Sequence, residues 1–194
     1  MSLYQLKTYI EKSIEDQHNS HGYRAQSSFQ MLEDVDLMIE RYLSENPHDK
    51  GGILLNVFGL LQGLFVAIDA LYDLAIGLTQ YKYHVNINVN PTLHELKYIR
   101  NDIVGHPTHR TYPDGGIGFS LIDQSSISKE KLTYQTMIYE KNRMEVKSKE
   151  VIFKPLIEAY GKEKNIILKD ILTYLKHEET ETKIHEKIFT LYET

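Results

Sequence analysis

The sequence predicts a mainly helical fold, a bundle of helices with one β-hairpin inserted near residues 117–140. Apolar residues recur every three or four positions through most of the chain, as they do on helices that bury one face. Between residues 117 and 138 they alternate with polar residues instead, which is the pattern of a half-buried strand. A chain of 194 residues can bury a substantial core, and we expect residues 1–194 to form a single domain.

The first two predicted helices are amphipathic and are separated by a turn-like segment at residues 18–22. Residues 3–17 carry one apolar stripe, made by Leu3, Leu6, Ile10 and Ile14. A second helix is expected over residues 24–45, with five positions directed inward: Phe29, Leu32, Val35, Ile39 and Leu43. A proline and two glycines within residues 46–52 predict a break before the next helix.

The third predicted helix, residues 53–80, is apolar on nearly all sides, which indicates a helix surrounded by others. Its polar residues Gln62, Asp69 and Asp73 fall within about 40° of one another at ~100° per residue, so they form one polar stripe. Buried polar groups need partners. The stripe therefore faces either solvent or the segment around Arg100 and His106, and the sequence leaves both interpretations open.

The fourth helix is expected to begin near Pro91, since proline is favoured in a first helical turn. It ends in the segment Arg100-Asn101-Asp102-Ile103-Val104-Gly105-His106-Pro107. On an ideal helix Arg100 and His106 would point about 120° apart. Gly105 can relax the backbone, and Pro107 disfavours helical geometry at His106. We therefore expect a bend here that lets both side chains serve one site.

The rest of the chain predicts the hairpin and then helix again. Two alternating stretches, separated by a polar loop, form the hairpin: Ile117, Phe119 and Leu121, then Leu132, Tyr134, Thr136 and Ile138. A helical pattern returns from about residue 142 and continues to about residue 175. A last short helix is expected over residues 179–192.

Composition and charge exclude several classes of function. The chain has no cysteine, which excludes disulfides, thiol catalysis and cysteine-ligated zinc. Its net charge is −5, and residues 1–80 hold 5 Lys+Arg against 11 Asp+Glu, so no basic surface for long nucleic acid is expected. Asp69 and Asp73 interrupt the longest apolar run, which argues against a membrane helix and a membrane partner. No signal-peptide pattern is visible, and we expect a cytoplasmic protein.

The segment that starts at Arg100 resembles the signature of the HEPN superfamily, in which Arg-Asn is followed by a histidine, here with five residues between the arginine and His106. Residues 61–70 are similar to the helices that precede such motifs. The resemblance implies an up-and-down helical bundle and a dimer in which two copies of the motif meet. It also implies a metal-independent ribonuclease of the toxin, phage-defence or stress-response kind. Thr108 stands where one branch has a tyrosine, so the activities of that branch are not implied.

The residue types in this motif suit RNA cleavage without a metal, in which the ribose 2′-hydroxyl attacks the neighbouring phosphorus. His106 can take or give a proton near neutral pH, Arg100 can hold two phosphate oxygens, and Asn101 can orient the phosphate or the histidine. One histidine cannot easily serve both sides of the phosphorus, which favours a homodimer. The products would carry a 2′,3′-cyclic phosphate and a 5′-hydroxyl. Three further residues are predicted to support the catalytic ones: Asp102, Asp69 and Gln62.

Other interpretations of the same residues stay open. The Arg/His site could hold a nucleotide or another phosphorylated ligand without catalysis, or the bundle could dock a partner protein such as an antitoxin or regulator. Arg100 could simply interact with the helix dipole, and Asp102 could hydrogen-bond His106 four residues later. His94, His106 and His109 do not form a recognisable metal cage, because Pro107 breaks the helix that would align them. No metal and no cofactor are predicted.

Overall fold

The computed structural model describes residues 3–17, 20–112 and 115–192, and of residues 16, 17 and 184–192 it describes the backbone only. A short 3₁₀ turn, Leu3–Leu6, precedes the first α-helix. The described residues form these helices: α1 (Lys7–Gln17), α2 (Ser20–Ser44), α3 (Lys50–Thr79), α4 (Pro91–Arg100) and α5 (Phe153–Tyr192). They form these strands: β1 (Arg110–Thr111), β2 (Ile117–Ile122), β3 (Lys131–Glu140) and β4 (Arg143–Ile152). The mainly helical class is confirmed, and the up-and-down bundle topology stays a prediction.

The predicted hairpin is present, but it is part of a larger antiparallel sheet with strand order β1-β2-β3-β4. The prediction of helix from residue 142 is wrong as far as Ile152, because β4 pairs with β3 along its whole length. Lys141 and Asn142 join these strands with positive φ angles of 45° and 61°. Two such residues form the tight turn whose twist suits a hairpin. The turn is hard to detect in the sequence because it contains no glycine.

The two faces of the sheet differ in chemistry, because side chains alternate along each strand. One face carries Tyr134 and Thr136 on β3, directly opposite Lys149 and Lys147 on β4. The other face presents exposed apolar side chains: Ile117, Phe119, Leu121, Tyr139, Met144 and Val146. A contiguous apolar surface of this kind is typical of an interaction site.

The C-terminal helix is longer than predicted. The sequence suggests a break near residues 176–178, whereas α5 is continuous through them. Those residues contain no glycine or proline, and the polar stretch that follows is compatible with helix through pairs four residues apart, such as Glu179 with Lys183 at 2.9 Å. One inward assignment is also wrong, since Leu43 is half exposed while Tyr42 beside it is buried and donates a hydrogen bond to the carbonyl of Lys129.

The chain divides into two compact units. The first contains Met1–Leu32, Asp69–Asn86 and Lys162–Thr194, and the second contains Glu33–Ile68 and Ile87–Gly161. Each has its own buried apolar residues, such as Leu71 and Ile171 in the first and Leu93 and Phe153 in the second. The sheet, α4 and the whole motif segment belong to the second unit. The expectation of a single domain stays a prediction.

Helix α3 is long and apolar enough to cross a membrane by length and composition alone. The core helix of a soluble protein meets the same criteria. In α3, 39% of the most apolar stretch is buried. Asp69 is exposed and Asp73 is half-buried and ion-paired, so the helix carries charge within this span. The cytoplasmic location stays a prediction.

Candidate functional site

The motif segment leaves α4 through a widened helical turn. The Asn90 side chain caps the start of α4 by accepting a hydrogen bond from the Leu93 N–H at 3.1 Å. After Arg100 the chain forms a π-helical turn, Asn101–Gly105, and the His106 N–H donates to the Asn101 carbonyl at 2.7 Å. His106 itself has φ −137° and ψ 46°, outside helical geometry. The predicted departure from α-helical geometry is confirmed, and it takes the form of a π-turn, a feature often found at functional sites. That this bend brings Arg100 and His106 to one site stays a prediction.

Arg100 is half-buried, and its guanidinium is held by neutral groups. Its Nε donates to Gln62 Oε1 at 2.9 Å and its Nη1 to Asn101 Oδ1 at 3.0 Å. Its Cζ lies 4.3 Å from the centroid of the Phe65 ring. Among the described residues no carboxylate pairs with this arginine. Its orientation is therefore fixed while its positive charge is not compensated.

Gly105 makes room for the arginine. A Cβ atom at this position would lie 2.4 Å from Arg100 Nη1 and 3.2 Å from Asn101 Oδ1. Only a residue without a side chain therefore lets the guanidinium lie against the π-turn. The glycine that the sequence suggests as a point of backbone relaxation also serves as a close-packing site.

His106 and Asn101 have different surroundings from those expected. His106 is exposed, and its imidazole makes no hydrogen bond or ion pair within residues 3–17, 20–112 and 115–192. Asn101 is half-buried, and its side-chain oxygen accepts from Arg100 instead of orienting the histidine. Within one copy of the chain, no hydrogen bond or ion pair among the described residues joins Arg100 to His106. The two predicted catalytic groups thus share a turn but not a hydrogen bond.

Asp102 is buried, and its carboxylate is bound by side chains of strands β1 and β3. It pairs with Arg110, and its other oxygen accepts a hydrogen bond from Tyr134 Oη at 3.1 Å. The Arg110 guanidinium stacks on Tyr98 and Tyr112, at 4.3 and 4.9 Å from their ring centroids. Burial and the Asp102 charge raise the pKa of Tyr134, so it stays a neutral donor. The interpretation in which Asp102 hydrogen-bonds His106 is wrong, because the carboxylate binds Arg110 and Tyr134 instead.

The polar stripe of α3 divides between two surroundings. Gln62 reaches Arg100, as one of the two interpretations of the stripe expects. Asp73 belongs to the first unit and pairs with Arg24, which also donates to Tyr81 Oη at 3.2 Å. Asp69 is exposed and belongs to the same unit. Its predicted role in supporting the motif stays a prediction.

A cavity of about 480 Å³ lies between α4 and the sheet, beside Asp102. Its walls come from one side of α4, including His94 and Tyr98, and from alternate residues of β3 and β4, including Lys147 and Lys149. Sequence reasoning missed this cavity because residues 142–152 were expected to be helical. The signal that could have found it is a period of two at the start of β4, where Arg143, Glu145 and Lys147 alternate with Met144 and Val146.

In the part of the chain that the structure describes, no three histidine, aspartate or glutamate residues are grouped so that they could hold a metal ion. Comparisons with protein-family models, curated proteins and solved structures give no match to this chain.

Proposed function

We propose that this chain is a metal-independent endoribonuclease in which Arg100 and His106, contributed by two copies, act on one phosphodiester. The observation that supports it best is the half-buried, pre-oriented guanidinium of Arg100 with only neutral partners. Such a cation is suited to binding phosphate, because its geometry is fixed and its charge is not used internally. The exposed imidazole of His106, one turn later, supplies a group that can transfer protons.

The reaction follows from these groups. His106 of one copy accepts the proton of the ribose 2′-hydroxyl while the 2′-oxygen attacks phosphorus. The bond from phosphorus to the 5′-oxygen breaks, and His106 of the second copy gives a proton to that oxygen. Arg100 stabilises the negative charge that grows on the phosphoryl oxygens. The products are a 2′,3′-cyclic phosphate and a 5′-hydroxyl, with Asn101 and Gln62 positioning the arginine and Asp102 fixing the turn.

Direct cleavage assays test this proposal. Purified protein incubated with total RNA in EDTA should cut it, and His106→Ala and Arg100→Ala should each reduce the rate by about 10²-fold or more. His109→Ala is a matched control, since His109 is also exposed and lies three residues from His106. Arg41→Ala is the arginine control, since Arg41 is exposed and paired with Glu45. RNA cleavage that persists in both motif variants would exclude the proposed site.

A second candidate is a non-catalytic module in which Arg100 holds a phosphorylated ligand. It is favoured by one observation, that no hydrogen bond joins Arg100 to His106 within a copy of the chain. In that case RNA or nucleotide would bind, Arg100→Ala would abolish binding, and no cyclic phosphate would form.

We propose toxin, phage-defence or stress-response roles for the catalytic form, with an antitoxin or regulatory protein as its partner. Growth arrest on expression, lost in His106→Ala, is the expected outcome for a toxin.

A further inference from the structure

We propose that the cavity between α4 and the sheet binds one nucleotide of single-stranded RNA, with the base against its aromatic rings and the phosphate at its lysines. The cavity lies beside Asp102 and is separate from the Arg100 contacts. The inference rests on the proposed function and deepens it, because it names where the RNA next to the cleaved bond is held.

The cavity forms where one side of a helix faces one side of a sheet. His94, Tyr98 and Asp102 follow one another at intervals of four residues, so they lie on the same side of α4 and its π-turn. Tyr134 and Thr136 alternate on β3 and form the buried floor. Apolar side chains usually fill such an interface. Here aromatic and polar groups surround open space instead.

The aromatic rings of the cavity are held in place by neighbouring side chains and backbone. Tyr98 and Tyr112 are fixed by the Arg110 guanidinium that stacks on both. Tyr112 also lies on Gly118, where a Cβ atom would come within 2.6 Å of its ring. The His94 ring packs against Tyr98, with centroids 4.5 Å apart. Fixed aromatic rings are the platforms on which proteins stack the bases of single strands.

His94 adds a group that could recognise the edge of a base. Its imidazole is half-buried and makes no hydrogen bond within the described residues. Both of its nitrogens are therefore available, one to donate and one to accept when the ring is neutral. A base that stacks beside Tyr98 would bring its polar edge within reach of this ring.

The lysines supply a place for the phosphate. Lys149 Nζ lies 2.8 Å from a Glu95 carboxylate, and Lys147 Nζ lies 3.2 Å from that of Glu145. Both pairs are partly exposed and screened by solvent, so a phosphate can replace the carboxylates at little cost. The Asp102 charge at the base of the cavity does not repel the ligand, since Arg110 neutralises it.

The size of the cavity limits the ligand. A volume of about 480 Å³ lies within the ~300–1,000 Å³ of small-molecule sites and suits a single nucleotide. A base inside a duplex could not enter, because its faces are stacked and its edge is paired. The geometry thus points to an unpaired nucleotide, which can come from an RNA strand or from a free mononucleotide.

Binding is best measured with the full chain carrying His106→Ala, so that the RNA stays intact. The probes are fluorescein-labelled tetra-adenylate and tetra-uridylate RNA, followed by anisotropy in EDTA, with unlabelled AMP and UMP as competitors. His94→Ala and Lys147→Gln should each raise Kd by about fivefold or more. His84→Ala and Lys131→Gln are the matched controls, an exposed histidine and an exposed, ion-paired strand lysine outside the cavity, and should change Kd by less than about twofold.

The outcomes separate the cavity from the catalytic proposal. Competition by AMP or UMP at concentrations similar to those of the tetranucleotides identifies a free nucleotide as the source, and much weaker competition identifies the RNA strand. Unchanged Kd in both cavity variants, with folding intact by circular dichroism, overturns the assignment. In the cleaving protein, both variants should raise KM and leave kcat unchanged. If the wild type cuts no RNA while binding still depends on His94 and Lys147, the nuclease proposal fails and the cavity stands.

Discussion

Substituting Gly105 by alanine separates the position of Arg100 from the stability of the fold. The glycine lies in the π-turn without a positive φ angle, so its backbone can accept alanine. The added Cβ would lie 2.4 Å from Arg100 Nη1 and 3.1 Å from its Cζ, far inside van der Waals contact. These atoms are the far end of a flexible side chain. The guanidinium should therefore move by about 1 Å while the backbone stays in place.

The expected change in stability is small because opposing effects partly cancel. Moving the guanidinium weakens its hydrogen bond to Gln62, at about 1.5–3 kcal/mol for a charged group, and its contact with Phe65, at about 0.5–1 kcal/mol. Because Arg100 is half-buried, water can make some of the hydrogen bonds that the guanidinium loses. Alanine in a helical position also restores about 0.5–1 kcal/mol. We expect a net loss of at most ~2 kcal/mol in the free energy of unfolding, or a fall in Tm of less than about 8 °C.

The expected change in activity is large. Displacing the cation from its aligned position should reduce cleavage of labelled RNA by about 10²-fold, close to the effect of Arg100→Ala. Gly59→Ala is the control, because Gly59 is also helical and a Cβ there meets no atom within 4 Å. It should raise stability slightly and leave cleavage unchanged. Full activity in Gly105→Ala would refute the role of the fixed guanidinium, and a loss of Tm above 15 °C would refute the packing described for the turn.

Further predictions concern the buried network, the apolar sheet face and the charge of the site. Asp102→Ala should lower the free energy of unfolding by about 3–5 kcal/mol in urea denaturation, because it leaves Arg110 half-buried without a counter-charge. Tyr134→Phe should lower the free energy of unfolding by about 1–3 kcal/mol, because it removes the hydrogen bond to Asp102. The raised pKa of Tyr134 keeps it neutral in the folded state while it ionises in the unfolded chain above pH ~10, so the wild type should lose stability there and the Phe variant should not show this part of the loss. Val146→Lys should reduce concentration-dependent dimerisation in light scattering, and an unchanged mass distribution would show that the exposed apolar sheet face is not the contact. RNA binding should depend weakly on salt, with a slope of log K near −2 for about three phosphate contacts at Arg100 and the cavity lysines. A slope beyond −5 would require a basic surface that the charge distribution of the sequence does not predict.

The helical part of the fold was predictable because its signals are local. Alternation every three or four residues, Pro91 in a first turn and the Gly105/Pro107 bend all reflect backbone preferences within a few residues. Strand β4 was not predictable in the same way. Its turn at Lys141–Asn142 holds two positive φ angles without a glycine, and its many charged residues also suit an exposed helix. Pairing with β3 across the turn decides between the two.

The candidate site shows the same division. The motif places Arg100, Asn101 and His106 on one turn, and that much follows from adjacency in the sequence. The partner of Asp102 could not be predicted, because Arg110 approaches it only after the chain has turned at Pro107 and begun to pair with β2. Gln62 was predictable as a member of a polar stripe but not as the one member that reaches the arginine. Residues with equivalent local sequence patterns thus acquire different partners, because those partners depend on how the chain packs in three dimensions.

The motif segment contains two kinds of charge that ought to respond differently to change. The Asp102 carboxylate is buried, paired and hydrogen-bonded, so its interactions stabilise the fold. The Arg100 guanidinium is oriented by neutral groups, and its attraction for an anion is left for a ligand. If this distinction is correct, loss of Asp102 lowers stability and activity together, whereas loss of Arg100 lowers activity with little change in stability. Equal destabilisation by both substitutions would mean that Arg100 is a structural residue, and the phosphate-binding role would have no remaining physical basis.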